Sequence, residues 1–283
     1  MVTQSLREKL HRKRRRILLL AVFLPALLLS LACNVDLTGV ITSSDLDTRL
    51  ESRNIFAFLT DNDRTPSLGN EYSFIVLTDT HIENGRAQGF ERLKDSIIPD
   101  DKFVVITGDI TQNGRREDVE KFIEIADTLD IPCYPVIGNH DVYFKNWSIW
   151  RDLIGSTRYR IDSNTTSLFI LDSANAVFGS AQLDWLRDEL MSAGSHVFVF
   201  THTNLFVETP ADIQQLTDTR ERARIISILK GRARAMFMGH VHKRIIRDAG
   251  GVSYISIEDF KRHKTYCRVY VSDAGIRYEF LNL

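Results

Sequence analysis

From residue 72 onward the chain alternates between short apolar runs and longer amphipathic stretches. The apolar runs are rich in Val, Ile and Phe and predict buried strands at Ser73–Thr78, Phe103–Thr107, Cys133–Ile137, Ser167–Leu171, His196–Thr201 and Ala235–Met238. The stretches between several of these runs carry apolar residues at helical spacing and predict helices at Arg86–Ile98, Arg116–Leu129, Ala181–Met191 and Arg222–Leu229. Strands that alternate with helices predict a layered α/β fold with a largely parallel first sheet.

Near the C-terminus the pattern changes to strands without helices between them. Apolar alternation predicts four strands at Arg244–Arg247, Val252–Ile257, Tyr266–Val271 and Ile276–Phe280. The turn-forming residues Asp273-Ala274-Gly275 predict a hairpin between the last two. We therefore expect a second, antiparallel-rich sheet stacked on the first. The predicted fold class is α/β, with two stacked mixed β-sheets flanked by helices.

The N-terminus has the pattern of an export signal. Seven basic residues and one acidic residue lie within positions 1–16, and the uncharged apolar stretch Ile17–Ala32 follows them. This order is typical of a secretory signal. A retained transmembrane anchor is the alternative, although Pro25 interrupts a stretch that is slightly shorter than the roughly 20 residues a membrane span needs. We divide the chain into a signal peptide (1–32), an N-terminal extension or spacer (33–72) and one domain (73–283).

The residues around Cys33 indicate a membrane anchor in addition to export. The stretch Leu29-Ser30-Leu31-Ala32-Cys33 resembles the lipobox of bacterial lipoproteins, although Ser30 stands where a branched aliphatic residue is usual. The resemblance implies that Cys33 is lipidated and becomes the mature N-terminus, and acyl chains would then hold the protein at the membrane. We expect an exported, membrane-anchored bacterial lipoprotein, with a secreted or signal-anchored protein as alternatives.

The net charge of the chain bears on the partners it can bind, and its cysteines bear on whether it contains a disulfide. The whole chain has a formal charge of −1, but residues 33–283 hold 29 Lys and Arg against 36 Asp and Glu, a charge of −7. Nucleic-acid binders need a basic surface to displace counterions from phosphates, so we expect no nucleic-acid-binding surface. Within the predicted domain, Cys133 and Cys267 form either a disulfide or two separate buried thiols.

Groups of Asp, Asn and His side chains follow five of the predicted strands. They are Asp79 and His81, then Asp109, then Asn139, His140 and Asp141, then His202, and finally His240 and His242. Ligands of open α/β sheets gather at the carboxyl ends of the strands, so these residues should converge. Oxygen and imidazole donors without thiolates favour Mn, Fe, Zn, Ni or Co. We expect two divalent or mixed-valence transition-metal ions that share one carboxylate.

The order of these motifs, D-x-H, G-D, G-N-H-D, H and G-H-x-H, resembles the calcineurin-like metallophosphoesterase superfamily. The likeness is strongest to the branch with the class III cyclic-nucleotide phosphodiesterases, through the segments TGDITQNG and IPCYPVIGNHD and the strand that ends in Leu171-Asp172. The resemblance implies one metal ion held by Asp79, His81, Asp109 and His242. It implies a second held by Asp109, Asn139, His202 and His240.

The resemblance also implies the roles of the neighbouring residues. His140 matches the general acid of the family, and Asp141 would orient its imidazole. Purple acid phosphatases have a tyrosine ligand three residues after the shared Asp, but this chain has Gln112 there, so an Fe(III)-tyrosinate enzyme is not expected.

The function implied is hydrolysis of a small phosphate ester, most simply a phosphodiester, by a metal-bridging hydroxide with His140 as the acid. A phosphomonoesterase or a pyrophosphohydrolase on the same site, and a binding scaffold without catalysis, are the alternatives.

Overall fold

The computed structural model describes residues 46–51, 65–206, 216 and 218–283, without the side chains of residues 144 and 145. The predicted signal, Cys33 and most of the predicted extension lie outside the described residues. The described helices include none that is long and apolar enough to cross a membrane.

The first sheet has five strands in the order β11-β10-β1-β2-β3. Strands β1, β2 and β3 run parallel to one another, β10 pairs antiparallel with the other side of β1, and β11 pairs antiparallel with β10. The bounds are β1 Tyr72–Leu77, β2 Asp101–Ile106, β3 Cys133–Pro135, β10 Thr265–Ser272 and β11 Gly275–Asn282.

The second sheet has six strands in the order β4-β5-β6-β7-β9-β8. Strands β5, β6, β7 and β9 run parallel, and the edge strands β4 and β8 are antiparallel to their neighbours. The bounds are β4 Tyr159–Ser163, β5 Thr166–Ile170, β6 His196–Phe200, β7 Ala235–Met238, β8 Ile245–Ala249 and β9 Val252–Ser256.

The prediction of two stacked mixed sheets is confirmed, but the prediction for the tail strands is wrong. They do not form a sheet of their own. Strands β8 and β9 join the second sheet, whereas β10 and β11 join the first. The reason is packing: β10 pairs with β1 and places Cys267, Val269 and Val271 in the apolar layer between the sheets. Apolar alternation shows that a strand has a buried face but does not show which strand it pairs with.

Helices cover the outer faces of both sheets. Their bounds are α1 Leu46–Glu51, α2 Arg116–Asp127, α3 Trp147–Leu153, α4 Ser180–Glu189, α5 Thr219–Leu229 and α6 Phe260–His263. Short 3-10 helices span Phe90–Ser96, His140–Lys145 and Leu190–Ser192.

The clearest differences from the predicted elements concern one helix and one strand. The helix predicted at Arg86–Ile98 is only the 3-10 helix Phe90–Ser96, because Gly89 is left-handed (φ 96°) before it and Ile97 is extended after it. Strand β4 was not predicted, because it is short, its side chains are partly or fully exposed and only Tyr159 and Ile161 are apolar.

Aromatic side chains fill the layer between the sheets. The Phe74 ring of β1 stacks on Phe103 of β2 at 4.6 Å and meets Phe198 of β6 edge-on at 5.0 Å. Each buried ring contributes about 1.5–3 kcal/mol relative to an exposed one. Two further apolar clusters lie outside this layer, one on each outer face. The sheets therefore form the two inner layers of a sandwich.

Cys133 and Cys267 are both buried thiols. Cys133 belongs to the outer cluster of the first sheet and Cys267 to the layer between the sheets. Burial raises the pKa of the Cys267 thiol to about 12. The two cysteines are separate core residues, not a disulfide.

Candidate metal centre

Loops from both sheets meet at one end of the sandwich. The loops after β1, β2 and β3 come from the first sheet, and those after β6 and β7 come from the second. Backbone hydrogen bonds join them: Asp79 N–H donates to the Gly108 carbonyl at 3.0 Å, and Gly239 N–H donates to the His202 carbonyl at 2.8 Å. The five groups predicted from the strand ends therefore converge in space.

The first cluster consists of Asp79, His81 and His242, with one donor atom of each within 4.8 Å of the others. Asp79 Oδ1 lies 3.0 Å from His242 Nε2 and 3.5 Å from His81 Nε2. Asp79 Oδ2 accepts from Thr78 Oγ1 at 2.6 Å and from the His240 backbone N–H at 3.1 Å. One oxygen of this carboxylate is thus held by the protein, and the other faces two imidazoles.

The second cluster consists of Asp109, His202 and His240, again within 4.8 Å. His202 Nδ1 lies 2.8 Å from the Thr107 carbonyl, which can only accept, so Nδ1 carries a proton and Nε2 is the nitrogen that a cation could bind. Around Nε2 lie Asp109 Oδ2 at 3.2 Å, Asn139 Oδ1 at 3.0 Å and His240 Nδ1 at 3.0 Å. A cation in the midst of these donors would be coordinated by oxygen and imidazole, so this set fits a transition metal.

Asp109 is the carboxylate that lies between the two clusters. It belongs to the second cluster and also to a group with His81 and His140. Asp109 Oδ1 accepts from the His140 backbone N–H at 2.9 Å, and Asp109 Oδ2 faces His202. This position suits the shared ligand that the motif order implies.

The pKa values of the buried Asp and His side chains of the site depend on one another. Burial favours the neutral form of Asp79, but the facing His242 outweighs it and lowers the pKa of this carboxyl well below its ordinary value. Burial likewise opposes the charged form of His202, but Asp109 raises its pKa to about 9. Burial and the neighbouring His202 lower the pKa of His240 to about 4. The carboxylates are thus held ionised by positive charge within the site.

The backbone is strained at the predicted ligands. Five of them have positive φ angles in the left-handed region, where residues other than glycine are uncommon: Asp79 (55°), His81 (45°), Asp109 (49°), His240 (72°) and His242 (54°). Such conformations cost about 1–3 kcal/mol each and cluster at functional sites. The fold therefore accepts local strain where it aims these side chains.

Glycines let the ligand loops approach one another closely. A Cβ atom at Gly138 would overlap the backbone N and the Oδ1 of Asp109, and one at Gly108, which has φ +92°, would overlap the His202 ring. The close approach of the loops therefore requires glycine at both positions.

His140 lies beside the metal clusters with a defined orientation. Its Nδ1 lies 2.8 Å from the Gln112 carbonyl, so Nδ1 donates a proton. Its Nε2 lies 3.8 Å from Asp109 Oδ2. The ring also makes an edge contact with His81, with 4.6 Å between centroids. Nε2 is thus the nitrogen that faces the candidate centre.

Asp141 has different partners from those predicted. Its carboxylate accepts from the backbone N–H groups of Ile110, Thr111 and Gly138 and from the Thr111 hydroxyl. Burial and the charge of Asp109 raise its pKa to about 6. Asp141 therefore joins the loops after β2 and β3, and the expectation that it orients the His140 ring is corrected: the Gln112 carbonyl is the partner of that ring.

Several residues around the site were not predicted from the sequence. Thr78 and Thr107 hold Asp79 and His202, Gln112 was noted only as a departure from a family pattern, and Tyr143 contacts Asn139. The sequence did contain one signal: threonine ends the strand before three of the ligand loops, at Thr78, Thr107 and Thr201.

A family model for the calcineurin-like phosphoesterases matches residues 72–244, which include all of the predicted metal ligands. The chain belongs to the calcineurin-like phosphoesterase family. This confirms the resemblance that the motif order indicates.

Curated relatives of this calcineurin-like phosphoesterase include phosphodiesterases. It is 26% identical over 153 residues to a probable cyclic nucleotide phosphodiesterase of Fibrobacter succinogenes, a match that covers 50% of this chain and 58% of that protein. It is 25% identical over 199 residues to a probable glycerophosphodiester phosphodiesterase of Arcobacter nitrofigilis, covering 60% and 71% of the two chains.

Solved structures share its fold. A purple acid phosphatase from yellow lupin seeds superposes with a TM-score of 0.61 at 12% identity, over 77% of this chain and 52% of that one. Similarity at this level of identity concerns the fold alone.

Proposed function

We propose that this calcineurin-like phosphoesterase hydrolyses small phosphodiesters at a site that holds two transition-metal ions. One observation carries the proposal: two clusters of Asp and His donors lie next to each other, and Asp109 of the second cluster also groups with His81 of the first. A single structural metal would need only one such cluster.

The chain offers a ligand set for each ion. Asp79, His81 and His242 would hold one, and His202, His240 and the Asn139 amide oxygen would hold the other, with Asp109 shared. When bound, two such ions would withdraw charge from the phosphate and activate water near neutral pH. The left-handed backbone and the carboxylate oxygens already fixed by the protein prepare this geometry before any ion binds.

His140 supplies the proton for the leaving oxygen in this proposal. Nδ1 keeps its proton and donates it in a hydrogen bond to the Gln112 carbonyl. The proton that moves is therefore the one on Nε2, the nitrogen that faces the centre. A positioned acid of this kind typically contributes 10²–10⁴-fold to the rate. The His140 side chain is only 11% exposed, so the protein holds the ring in this orientation.

A phosphodiester is the proposed substrate class because the curated relatives carry phosphodiesterase names. Phosphomonoesters and pyrophosphates are the alternatives for the same site. The test is metal analysis of the purified full-length chain, followed by assays on monoester, cyclic diester, linear diester and pyrophosphate panels. Highest kcat/KM on a diester supports the substrate class, and highest kcat/KM on a monoester or pyrophosphate contradicts it.

The shared ligand gives the sharpest test of the paired centre. Asp109→Asn should lose metal and nearly all turnover, because the substitution removes the charge that both clusters face. The control is Asp162→Asn on β4, whose side chain is half exposed and pairs with Arg160 away from the site. It should keep both metal and activity. Two bound metals and full turnover in Asp109→Asn would show that Asp109 is not the ligand that the two ions share.

We also propose that the protein is exported and anchored at a membrane surface through a lipidated Cys33. The support is the basic and apolar pattern of residues 1–32 and the lipobox-like segment before Cys33.

A further inference from the structure

Tyr143 is a buried residue that touches two parts of the candidate centre. It lies in the 3-10 helix His140–Lys145 and is 2% exposed. Its hydroxyl oxygen accepts a hydrogen bond from Asn139 Nδ2 at 2.8 Å. Its ring lies against the His140 ring, with 4.4 Å between centroids and 42° between planes.

The contact with Asn139 bears on how an amide can serve as a metal ligand. Only Oδ1 of an asparagine can bind a cation, because Nδ2 has no lone pair to offer. Oδ1 already faces His202 Nε2 at 3.0 Å, so Nδ2 points away from the second cluster and towards the phenol. Asn139 is only 6% exposed, and water therefore has little access to replace the phenol as a partner.

We propose that Tyr143 is a positioning residue: its hydroxyl holds the Asn139 amide with the carbonyl oxygen towards the second metal ion, and its ring supports His140. The inference rests on the proposed function. Without the hydroxyl, a buried Nδ2 has no partner when Oδ1 binds metal, whereas in the metal-free protein the amide is free to rotate towards other partners. The loss therefore falls on metal affinity, and partners of metal ligands typically affect affinity by 10–100-fold.

Tyr143→Phe tests the hydroxyl, because it removes one oxygen and keeps the ring. Titration of the metal-free full-length protein with Mn²⁺ in a calorimeter reads the affinity without any assay of activity. We expect one equivalent of Mn²⁺ to bind as in the wild type and the other to bind about 10–100-fold more weakly. At saturating Mn²⁺, turnover should return to near the wild-type value.

The matched control is Tyr254→Phe on β9, which also removes a buried hydroxyl, one that has no hydrogen-bond partner among the described residues. It should leave both Mn²⁺ affinities unchanged. Unchanged affinities in Tyr143→Phe would overturn the proposal. So would equal weakening of both equivalents, or a lower melting temperature of the metal-free variant that accounts for the weaker binding, because either result would mean that the hydroxyl supports the fold in general.

Tyr143→Leu tests the ring. Beyond the weaker Mn²⁺ binding, it should lose kcat/KM at saturating Mn²⁺ on esters with poor leaving groups, while Tyr143→Phe should not. If both variants have the same dependence on the leaving group, the part of the proposal that concerns His140 is wrong. Failure of the wild type to bind two ions would instead contradict the proposed function, so the two failures are distinguishable.

Discussion

Each of the two carboxylates of the centre has one oxygen that is hydrogen-bonded to the protein and one oxygen that faces the space for a cation. Asp79 Oδ2 and Asp109 Oδ1 accept hydrogen bonds from the protein, while Asp79 Oδ1 and Asp109 Oδ2 face histidines. His202 follows the same rule, with Nδ1 bound to a carbonyl and Nε2 facing the other donors of the second cluster. Because one atom of each side chain is held, the other cannot rotate away. The residues are thus oriented before a metal ion binds.

The role of His140 predicts a dependence on the leaving group. A nitrophenolate leaves readily without a proton, whereas an alkoxide such as a ribose oxygen does not. His140→Ala should therefore keep both metals and lose little kcat/KM on aryl esters, but lose about 10²–10⁴-fold on alkyl or nucleoside esters. The measurement is kcat/KM of mutant and wild type over esters of graded leaving-group pKa.

Two other results would contradict the assignment of His140 as the general acid. An equal loss on every ester with both metals retained would mean that His140 positions the phosphate or stabilises the transition state, and the assignment as acid would be wrong. Metal loss in His140→Ala would mean that it acts as a ligand.

At the scale of elements, a buried ion pair holds α1 on the domain. Arg49 Nε and Nη2 donate to Asp172 at 2.7 and 2.8 Å, and both side chains are fully buried. Asp172 follows β5, and its Oδ1 also accepts from the Ala174 backbone N–H. The predicted extension is thus more than a spacer over Leu46–Glu51, because this helix supplies the charge that balances Asp172.

Breaking this pair should be costly. Removal of one partner from a buried pair leaves an uncompensated charge and typically destabilises by 3–5 kcal/mol, so Arg49→Met should lower the free energy of unfolding by about that amount. The control Arg151→Met breaks an exposed pair with Asp152 and should change it by about 1 kcal/mol or less. Denaturant unfolding of both variants gives the comparison. Equal small losses in both would show that α1 contributes little to the stability of the domain.

At the scale of the whole molecule, the centre depends on both sheets. Asp79, Asp109 and Asn139 follow strands of the first sheet, whereas His202 and His240 follow strands of the second. Each cluster contains at least one residue from each sheet. The stacking of the sheets on their aromatic layer is therefore what completes the ligand sets.

The location of the whole protein gives a further prediction. If Cys33 is lipidated, the wild type should partition into detergent, and Cys33→Ala should remain unacylated and should not be processed in the same way. Mass spectrometry of the N-terminal peptide measures both. Cys133→Ala, which changes a buried core thiol, should keep the modification. An unacylated, soluble exported wild type would rule out the lipoprotein and leave ordinary secretion.

The sequence by itself determined the local elements and the identity of the ligands. Buried strands such as β1 and β6 are mostly apolar, and the residues after them belong to the metal-ligand types, so composition was enough to predict both. The ordered motifs were also enough to identify the family, because the Asp, Asn and His side chains that a metal needs occupy characteristic positions along the chain.

Only the tertiary structure decided which of these elements and side chains meet. His242 faces Asp79 across 163 positions in the chain, and β10 crosses back to pair with β1. For the same reason, the sequence did not determine the hydrogen-bond partners of Asp141 and Asn139. A hydrogen bond or a strand pair depends on the position of both partners in space, whereas local apolar and polar patterning reports only the environment of one.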